Sequence, residues 1–245
     1  MQALFFANWK MHGDTAFVNE WTAKFVPPPN CQIVVCPPLP YLATVRAALP
    51  TMVAIGAQNV ARWIDNGTYT GEVSARMAAD SGCRYALIGH SERRVLLHET
   101  DKDCAAKIAA TVTAGMCPVL CVGESIEERA AGKTDDVIHR QLQALSASGV
   151  KLTEAVIAYE PVWAIGSGNT PTVDEIARVR RHLRQWLITE NPTIGDKIPL
   201  LYGGSVSLSN VDMLGQSDMN GGLVGGASLQ PTLFSDICAH SGINR

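Results

Sequence analysis

The chain is predicted to be a single-domain α/β protein, a closed parallel (β/α)8 barrel running over residues 1–245. Three observations lead there. Eight short apolar runs each stop at a turn-like or polar residue, capping signals mark helices between them, and from Asn8 to Val224 the runs recur about every 31 residues, the length of one strand with its crossover helix.

In chain order, residues 4–7 end at Asn8-Trp9-Lys10, and Asp14 is placed to cap the next helix; residues 33–35 end at Cys36-Pro37. Residues 52–57 lead into Gln58-Asn59 and a long loop, 59–73, before Ser74, a further helix cap. Residues 85–88 precede Gly89-His90, with Ser91 read as the next cap, and residues 119–122 precede Gly123-Glu124. Ser125 and Glu128 form a capping box, as do Thr172 and Glu175, a hydroxyl and a carboxylate three apart that satisfy each other's backbone donors. Residues 156–159 end at Glu160, because Pro161 cannot continue a central ladder; residues 200–202 end at Gly203-Gly204 and 223–224 at Gly225-Gly226. Strands this apolar have no solvated face, which requires a parallel sheet covered by helices. A doubly wound open sheet is the alternative; a Gly-x-Gly-x-x-Gly turn after the first strand would favour it, and Asn8 through Gly13 offers none. In a barrel the strand ends converge on one face, making Lys10, His90, Glu124, Glu160, Ser205 and Gly225-Gly226 neighbours.

Composition narrows the function. A net charge of −3 provides no global basic field for nucleic acid or an anionic membrane, so an anion site has to be built locally. Seven scattered cysteines without a Cys-x-x-Cys pair fit a reducing compartment, and the amino-terminal stretch lacks a signal-peptide pattern, so a cytoplasmic location is expected. No apolar run reaches membrane-spanning length. Asn66-Gly67-Thr68 matches a glycosylation acceptor but reads as a turn, the six histidines form no metal-ligand spacing, and Arg178, Arg180, Arg181 and Arg184 read as a solvated helix face. No cofactor or metal is expected.

The most informative stretch is 159–168, which joins an acid at a strand end to a greasy loop bounded by glycines. Val162, Trp163, Ala164 and Ile165 would not stay in water without a use, and Gly166 and Gly168 supply backbone freedom at the far side. The pattern is that of a base beneath a lid, 161–169, that excludes water. Taken alone, Glu160 could equally cap the strand or pair with an arginine, and His90 could be a structural histidine.

Taken together, Asn8-Trp9-Lys10, Gly89-His90-Ser91-Glu92-Arg93-Arg94, Cys121-Val122-Gly123-Glu124, Tyr159 through Gly166, Tyr202-Gly203-Gly204-Ser205-Val206 and Leu223 through Leu229 resemble the triosephosphate isomerase family, in order and without large insertions. The resemblance implies a TIM barrel that interconverts dihydroxyacetone phosphate and D-glyceraldehyde 3-phosphate through an enediol(ate), in glycolysis and gluconeogenesis. It implies Glu160 as the base that moves a proton between two carbons, and His90 as the group that polarises the carbonyl and shuttles protons between the oxygens. A helix amino terminus at Ser91 would lower the histidine's pKa and keep it neutral. Lys10 would supply the fixed positive charge, with Asn8 beside the substrate and Glu92 paired to Lys10. Gly166, Ser205, Gly225 and Gly226 would hold the phosphate mainly through backbone donors. Cys121 resembles a cysteine that supports the base from behind. In the family the loop 59–73 enters a second subunit, which implies a homodimer with Thr70 close to Asn8 and Lys10 of the partner subunit.

The chain departs from the family pattern at Ser167 and Asn169, which stand where Thr and Lys are usual in the lid's second hinge, and at Asn220 and Gly222, which replace an Asp and a Phe before the last strand. The first pair bears on loop kinetics, and the second is expected to loosen local packing. A catalytically silent sugar-phosphate-binding barrel is the alternative function; it would bind phosphate analogues without turnover.

Overall fold

The structure is a computed structural model and describes residues 2–165 and 170–243. Eight parallel strands close on themselves in sequence order: β1 (Ala3–Asn8), β2 (Cys31–Cys36), β3 (Ala54–Ala57), β4 (Cys83–Ile88), β5 (Cys117–Val122), β6 (Val156–Tyr159), β7 (Leu200–Tyr202) and β8 (Gly221–Val224). The seam is the pairing of β1 with β8, from Leu4 opposite Gly221 to Ala7 opposite Val224. The predicted (β/α)8 barrel is therefore the observed architecture, with the eight runs in their expected order.

Only β6 and β7 keep the expected bounds; β1, β2, β4 and β5 extend one or two residues beyond the expected runs, and the shifts at β3 and β8 have a visible cause. The third strand begins at Ala54, because the chain at 50–53 makes a turn in which the Val53 amide bonds the Pro50 carbonyl at 2.9 Å, and Met52 faces solvent. The eighth starts two residues early, at the Gly221-Gly222 pair. At Gly221 a β-carbon would lie 1.7 Å from the Leu4 carbonyl oxygen, so the seam closes only where the eighth strand carries no side chain. At Gly222 the expected loosening is absent: the Phe5 ring of the neighbouring strand lies 3.3 Å from where a β-carbon would sit, and Phe5 is fully buried. Asn220 contributes as well, its side-chain oxygen accepting the Leu200 amide at 2.9 Å.

Strand parity divides the core in two. Leu4, Phe6, Val34, Cys117, Val119 and Cys121 are among the side chains that fill the barrel interior, where Phe6 meets Tyr85 edge to face at 5.2 Å. Alternate residues such as Phe5, Ile33 and Ile157 point outward onto the helices. These helices are α1 (Thr15–Lys24), α2 (Leu42–Ala48), α3 (Ala75–Asp80), α4 (Ser91–Leu96), α5 (Asp101–Thr113), α6 (Ile126–Ala130), α7 (Thr134–Ala147), α8 (Val173–Glu190), α9 (Asp212–Gln216) and α10 (Pro231–Ala239). Ile108 of α5, Ile138 and Leu142 of α7, and Ile176, Leu183 and Leu187 of α8 seal that outer layer.

Asp14 and Ser74 cap α1 and α3, and the capping boxes at Ser125–Glu128 and Thr172–Glu175 form as expected. A third box, Thr100 with Asp103, opens α5; its hydrogen bonds hold the Asp103 carboxyl down at a pKa of about 2. The cap of α4 is His90 and not Ser91: Ser91 already lies inside the helix, and the imidazole Nδ1 accepts the Glu92 amide. The arginine face of α8 is only partly solvated. Arg178 pairs with Asp135 at 3.0 Å at the surface, but Arg180 pairs with Asp218, and Arg184 donates to the Gly195 and Ile198 carbonyls and so pins the segment leading into β7. Among the described residues no helix is long and apolar enough to cross a membrane.

Gly221→Ala places a methyl group on the Leu4 carbonyl at the barrel seam, and we expect it to lower unfolding free energy by about 3 kcal/mol, read from the denaturant midpoint.

Candidate active site

The carboxy-terminal ends of the strands surround a cavity of about 340 Å³ whose wall includes Asn8, Lys10, His90, Glu160, Ser205 and Gly225. Gly226, Ile165, Gly203 and Gly204 complete one side. Of the residues singled out in the sequence, the described structure brings Asn8, Lys10, His90, Glu160, Ser205, Gly225 and Gly226 to this one cavity. Gly166, Ser167 and Asn169 lie outside the described residues.

Glu160 sits at the end of β6, 3% exposed, with its backbone held from two sides. Its amide donates to the Val122 carbonyl at 2.8 Å, and the next strand is tied on by the Gly203 amide, which bonds the Tyr159 carbonyl at 2.7 Å. A β-carbon at Gly123 would lie 1.7 Å from the Glu160 carbonyl oxygen, and one at Gly203 would lie 2.8 Å from its Cγ. Glu160 thus threads between two bare peptide units. Gly123 is fixed in turn by the buried Gln141 amide of α7, which accepts its N–H at 2.7 Å and donates to its carbonyl at 3.1 Å. The Glu160 carboxylate lies 3.0 Å from His90 Nε2 and accepts the Ser91 amide at 2.8 Å.

His90 follows β4 and is buried. Its Nδ1 accepts the Glu92 amide at 3.2 Å, which places a lone pair there and assigns the ring proton to Nε2, facing Glu160. Burial opposes charge on the ring, but the Glu160 carboxylate, by charge and hydrogen bond, and then Glu92 outweigh it and raise the pKa above 6.5. The expected downward shift from the helix amino terminus is therefore reversed in this arrangement, because a carboxylate in contact acts more strongly than the partial charge of a short helix. The loop before His90 is anchored by Glu99, which accepts the Gly89 amide at 3.0 Å and the Arg93 guanidinium at 2.6 Å and also bonds Lys107. Burial works against its charge, yet Lys107 and Arg93 hold the Glu99 carboxyl below its ordinary range.

Lys10 follows β1 in a left-handed backbone conformation, φ 52°. For a residue with a β-carbon this is strained, by an amount of order 1–3 kcal/mol. Three hydrogen bonds impose it: Asn8 Oδ1 accepts the Lys10 amide at 3.0 Å, and Gln58 Nε2 donates to the Lys10 and Cys36 carbonyls, each at 2.8 Å. The ammonium pairs with Glu92, as the resemblance implies, and the stem runs past Gly225, where a β-carbon would sit 3.2 Å from Cε. Ser205, after β7, donates its hydroxyl to the Ala164 carbonyl at 3.4 Å, touching the first part of the loop beyond Glu160. Cys121 is fully buried in the barrel interior; burial first, and then the Glu160 charge, push its thiol well above the usual range, so it stays a neutral packing group.

Glu124, expected among the neighbours of Lys10, His90 and Glu160, does not line this cavity and instead centres a cluster that the sequence does not single out. Glu124 is fully buried and accepts Tyr159 Oη at 3.2 Å and Trp163 Nε1 at 3.0 Å, while the Arg129 guanidinium lies 4.0 Å over the Trp163 ring. Burial raises its pKa against those hydrogen bonds and the Arg129 charge. It ties the loop after Glu160 to the end of β5; the available signal was an acid ending one strand and a tryptophan just beyond another. Among the described residues no three His, Cys, Asp or Glu side chains come together to hold a metal ion.

The chain matches the sequence model of the family described as Triosephosphate isomerase over residues 3–241. It is 48% identical over 235 residues to the triosephosphate isomerase of Alcanivorax borkumensis, covering 94% of this chain and 95% of that protein. The protein of the same name from Halorhodospira halophila is 45% identical over 94% of each chain, and that of Hydrogenovibrio crunogenus 43% identical over 99% of each. A barrel with Glu160, His90 and Lys10 around one cavity and likeness over almost its whole length leave one assignment: the chain belongs to the triosephosphate isomerase family.

Proposed function

We propose that this isomerase interconverts dihydroxyacetone phosphate and D-glyceraldehyde 3-phosphate with Glu160, His90 and Lys10 as its catalytic groups. The observation that carries the reading is the buried Glu160 carboxylate 3.0 Å from His90 Nε2 on the same cavity as Lys10. Substrate entering this cavity exchanges the Glu160–His90 contact for contacts of its own. Glu160 takes a proton from the carbon beside the carbonyl, the carbonyl oxygen becomes an enediolate oxygen, and Lys10 and His90 stabilise that charge. His90, protonated only on Nε2, donates to one oxygen and recovers a proton from the other; Glu160 then returns its proton to the neighbouring carbon. The phosphate is held by backbone donors at Gly225, Gly226, Ser205 and Gly166, with Asn8 beside the substrate.

The loop 161–169 serves as the lid, in a family that is a standing example of such closure. Its described part supports this: Val162–Ala164 make one tight turn, and Trp163 is held on Glu124. The loop 59–73 serves as a dimer contact, with Thr70 near Asn8 and Lys10 of the partner subunit. Exposed apolar side chains support that reading, Met11 at 94%, next in the chain to Lys10, and Val95, Leu96 and Leu97 on and after α4, the helix that His90 caps. The seven buried, unpaired cysteines support a reducing cytoplasmic location.

In a coupled isomerase assay, Glu160→Gln is expected to lose on the order of 10² to 10⁴ in kcat, and Glu160→Asp about 10² through retraction of the carboxylate. No turnover in the wild type would support the silent binding protein instead, and an unaffected Glu160→Gln would remove Glu160 as the base. NMR titration should place the His90 midpoint above the ordinary 6.5 in the free protein and lower it in Glu160→Gln. Because this pKa is raised by folding, its contribution to stability is fully present below 6.5 and is lost as the pH rises through the folded value. Sedimentation should show a dimer; a fully active monomer at assay concentration overturns the interface assignment.

A further inference from the structure

We propose that Trp21 of α1 is a positioning residue for the phosphate-gripping turn after β8, a role that rests on the reading of that turn given above. The turn is the 3-10 segment Gly226–Leu229. It closes on itself through Gly225, whose carbonyl accepts both the Ser228 amide at 2.8 Å and the Ser228 hydroxyl at 2.7 Å. Its link to the rest of the molecule at that point is the Trp21 indole, whose Nε1–H donates to the Ser228 carbonyl at 2.8 Å in a fully buried contact. Trp21 and Ser228 are both at most 1% exposed.

The indole is itself fixed. One face stacks on Phe25 at 4.5 Å and 22°, and Phe25 lies on Phe234 of α10 at 5.8 Å. Trp9 meets the indole edge to face at 4.9 Å. Trp9 stands between Asn8 and Lys10, so a single rigid column of rings runs from the strained Lys10 corner to the Ser228 peptide. These two places have to meet opposite parts of one small substrate, and a shift of about 1 Å between catalytic and binding groups is enough to cost rate or affinity. Water cannot replace the indole at Ser228, because the carbonyl is buried; deprived of its donor, the peptide turns toward another, and Gly226 and Ala227, which line the cavity, move with it. A buried indole N–H needs a partner whatever its role, so a kinetic readout separates positioning from packing: removing a tryptophan that only fills space changes stability alone.

Trp21→Phe keeps an aromatic ring in the column and removes only the N–H. It is expected to raise the KM for glyceraldehyde 3-phosphate and the competitive inhibition constant of inorganic phosphate together, each about fivefold, the effect of one buried hydrogen bond, with kcat retained. A variant in which both constants stay at wild-type values and only the melting temperature falls overturns the proposal. If Trp21→Phe does not fold, the wild type decides: the Trp21 indole N–H resonance should move during titration with inorganic phosphate, and an unmoved resonance at saturation overturns the proposal. Failure of phosphate to compete with substrate in the wild type is a different result, which removes the phosphate reading of the turn and the proposal with it.

Discussion

The catalytic geometry depends on the passage of the Glu160 backbone between Gly123 and Gly203. Both neighbours approach so closely that a β-carbon on either would collide with Glu160 itself, 1.7 Å from its carbonyl oxygen or 2.8 Å from its Cγ. The strand hydrogen bonds to Val122 and from Gly203 lock the main chain in that slot, and Gln141 holds Gly123 from the helix layer. The main chain is thereby fixed up to Glu160, and the Val162 amide, on the Glu124 carbonyl at 3.2 Å, holds the next residues too. A carboxylate that starts from so fixed a main chain keeps its origin whatever its own side-chain rotations.

Charge is positioned by the same kind of constraint. The protein is acidic overall, and its cation at the cavity, Lys10, is brought in by a left-handed backbone that costs stability and is imposed by Asn8 and Gln58. Buried acids support it at a distance: Glu99 fixes the loop that presents His90, and Glu124 holds Trp163 just beyond Glu160. Neither touches the cavity wall. Their ion pairs and hydrogen bonds are internal, where water does not compete, so they set positions more sharply than exposed pairs such as Arg178 with Asp135.

Strand order, helix caps and the convergence of Lys10, His90 and Glu160 were legible in the sequence because each depends on local pattern: an apolar run, a capping box, a polar residue where a strand stops. The illegible features depend on contacts between distant segments. The eighth strand begins at Gly221-Gly222, outside the apolar run at 223–224, because the Leu4 carbonyl and the Phe5 ring occupy the space a side chain there would need. His90 in place of Ser91 as the cap of α4, and the upward shift of its pKa, arise from where the Glu160 carboxylate lies, 3.0 Å away across the barrel mouth. Arg184 has the spacing of a surface arginine, and only the fold brings the Gly195 and Ile198 carbonyls to it.

The seam between β1 and β8 also shapes biosynthesis. The first strand to leave a ribosome pairs on one side with β2, residue for residue from Ala3 opposite Cys31, but its other edge is satisfied only by the last strand, around Gly221. Until nearly the whole chain has been made, β1 presents an apolar row of unpaired amides and carbonyls, the kind of edge that recruits foreign strands. Nascent chains interrupted after seven strands thus carry two open edges, and release of the completed carboxy-terminal segment is the event that removes both at once.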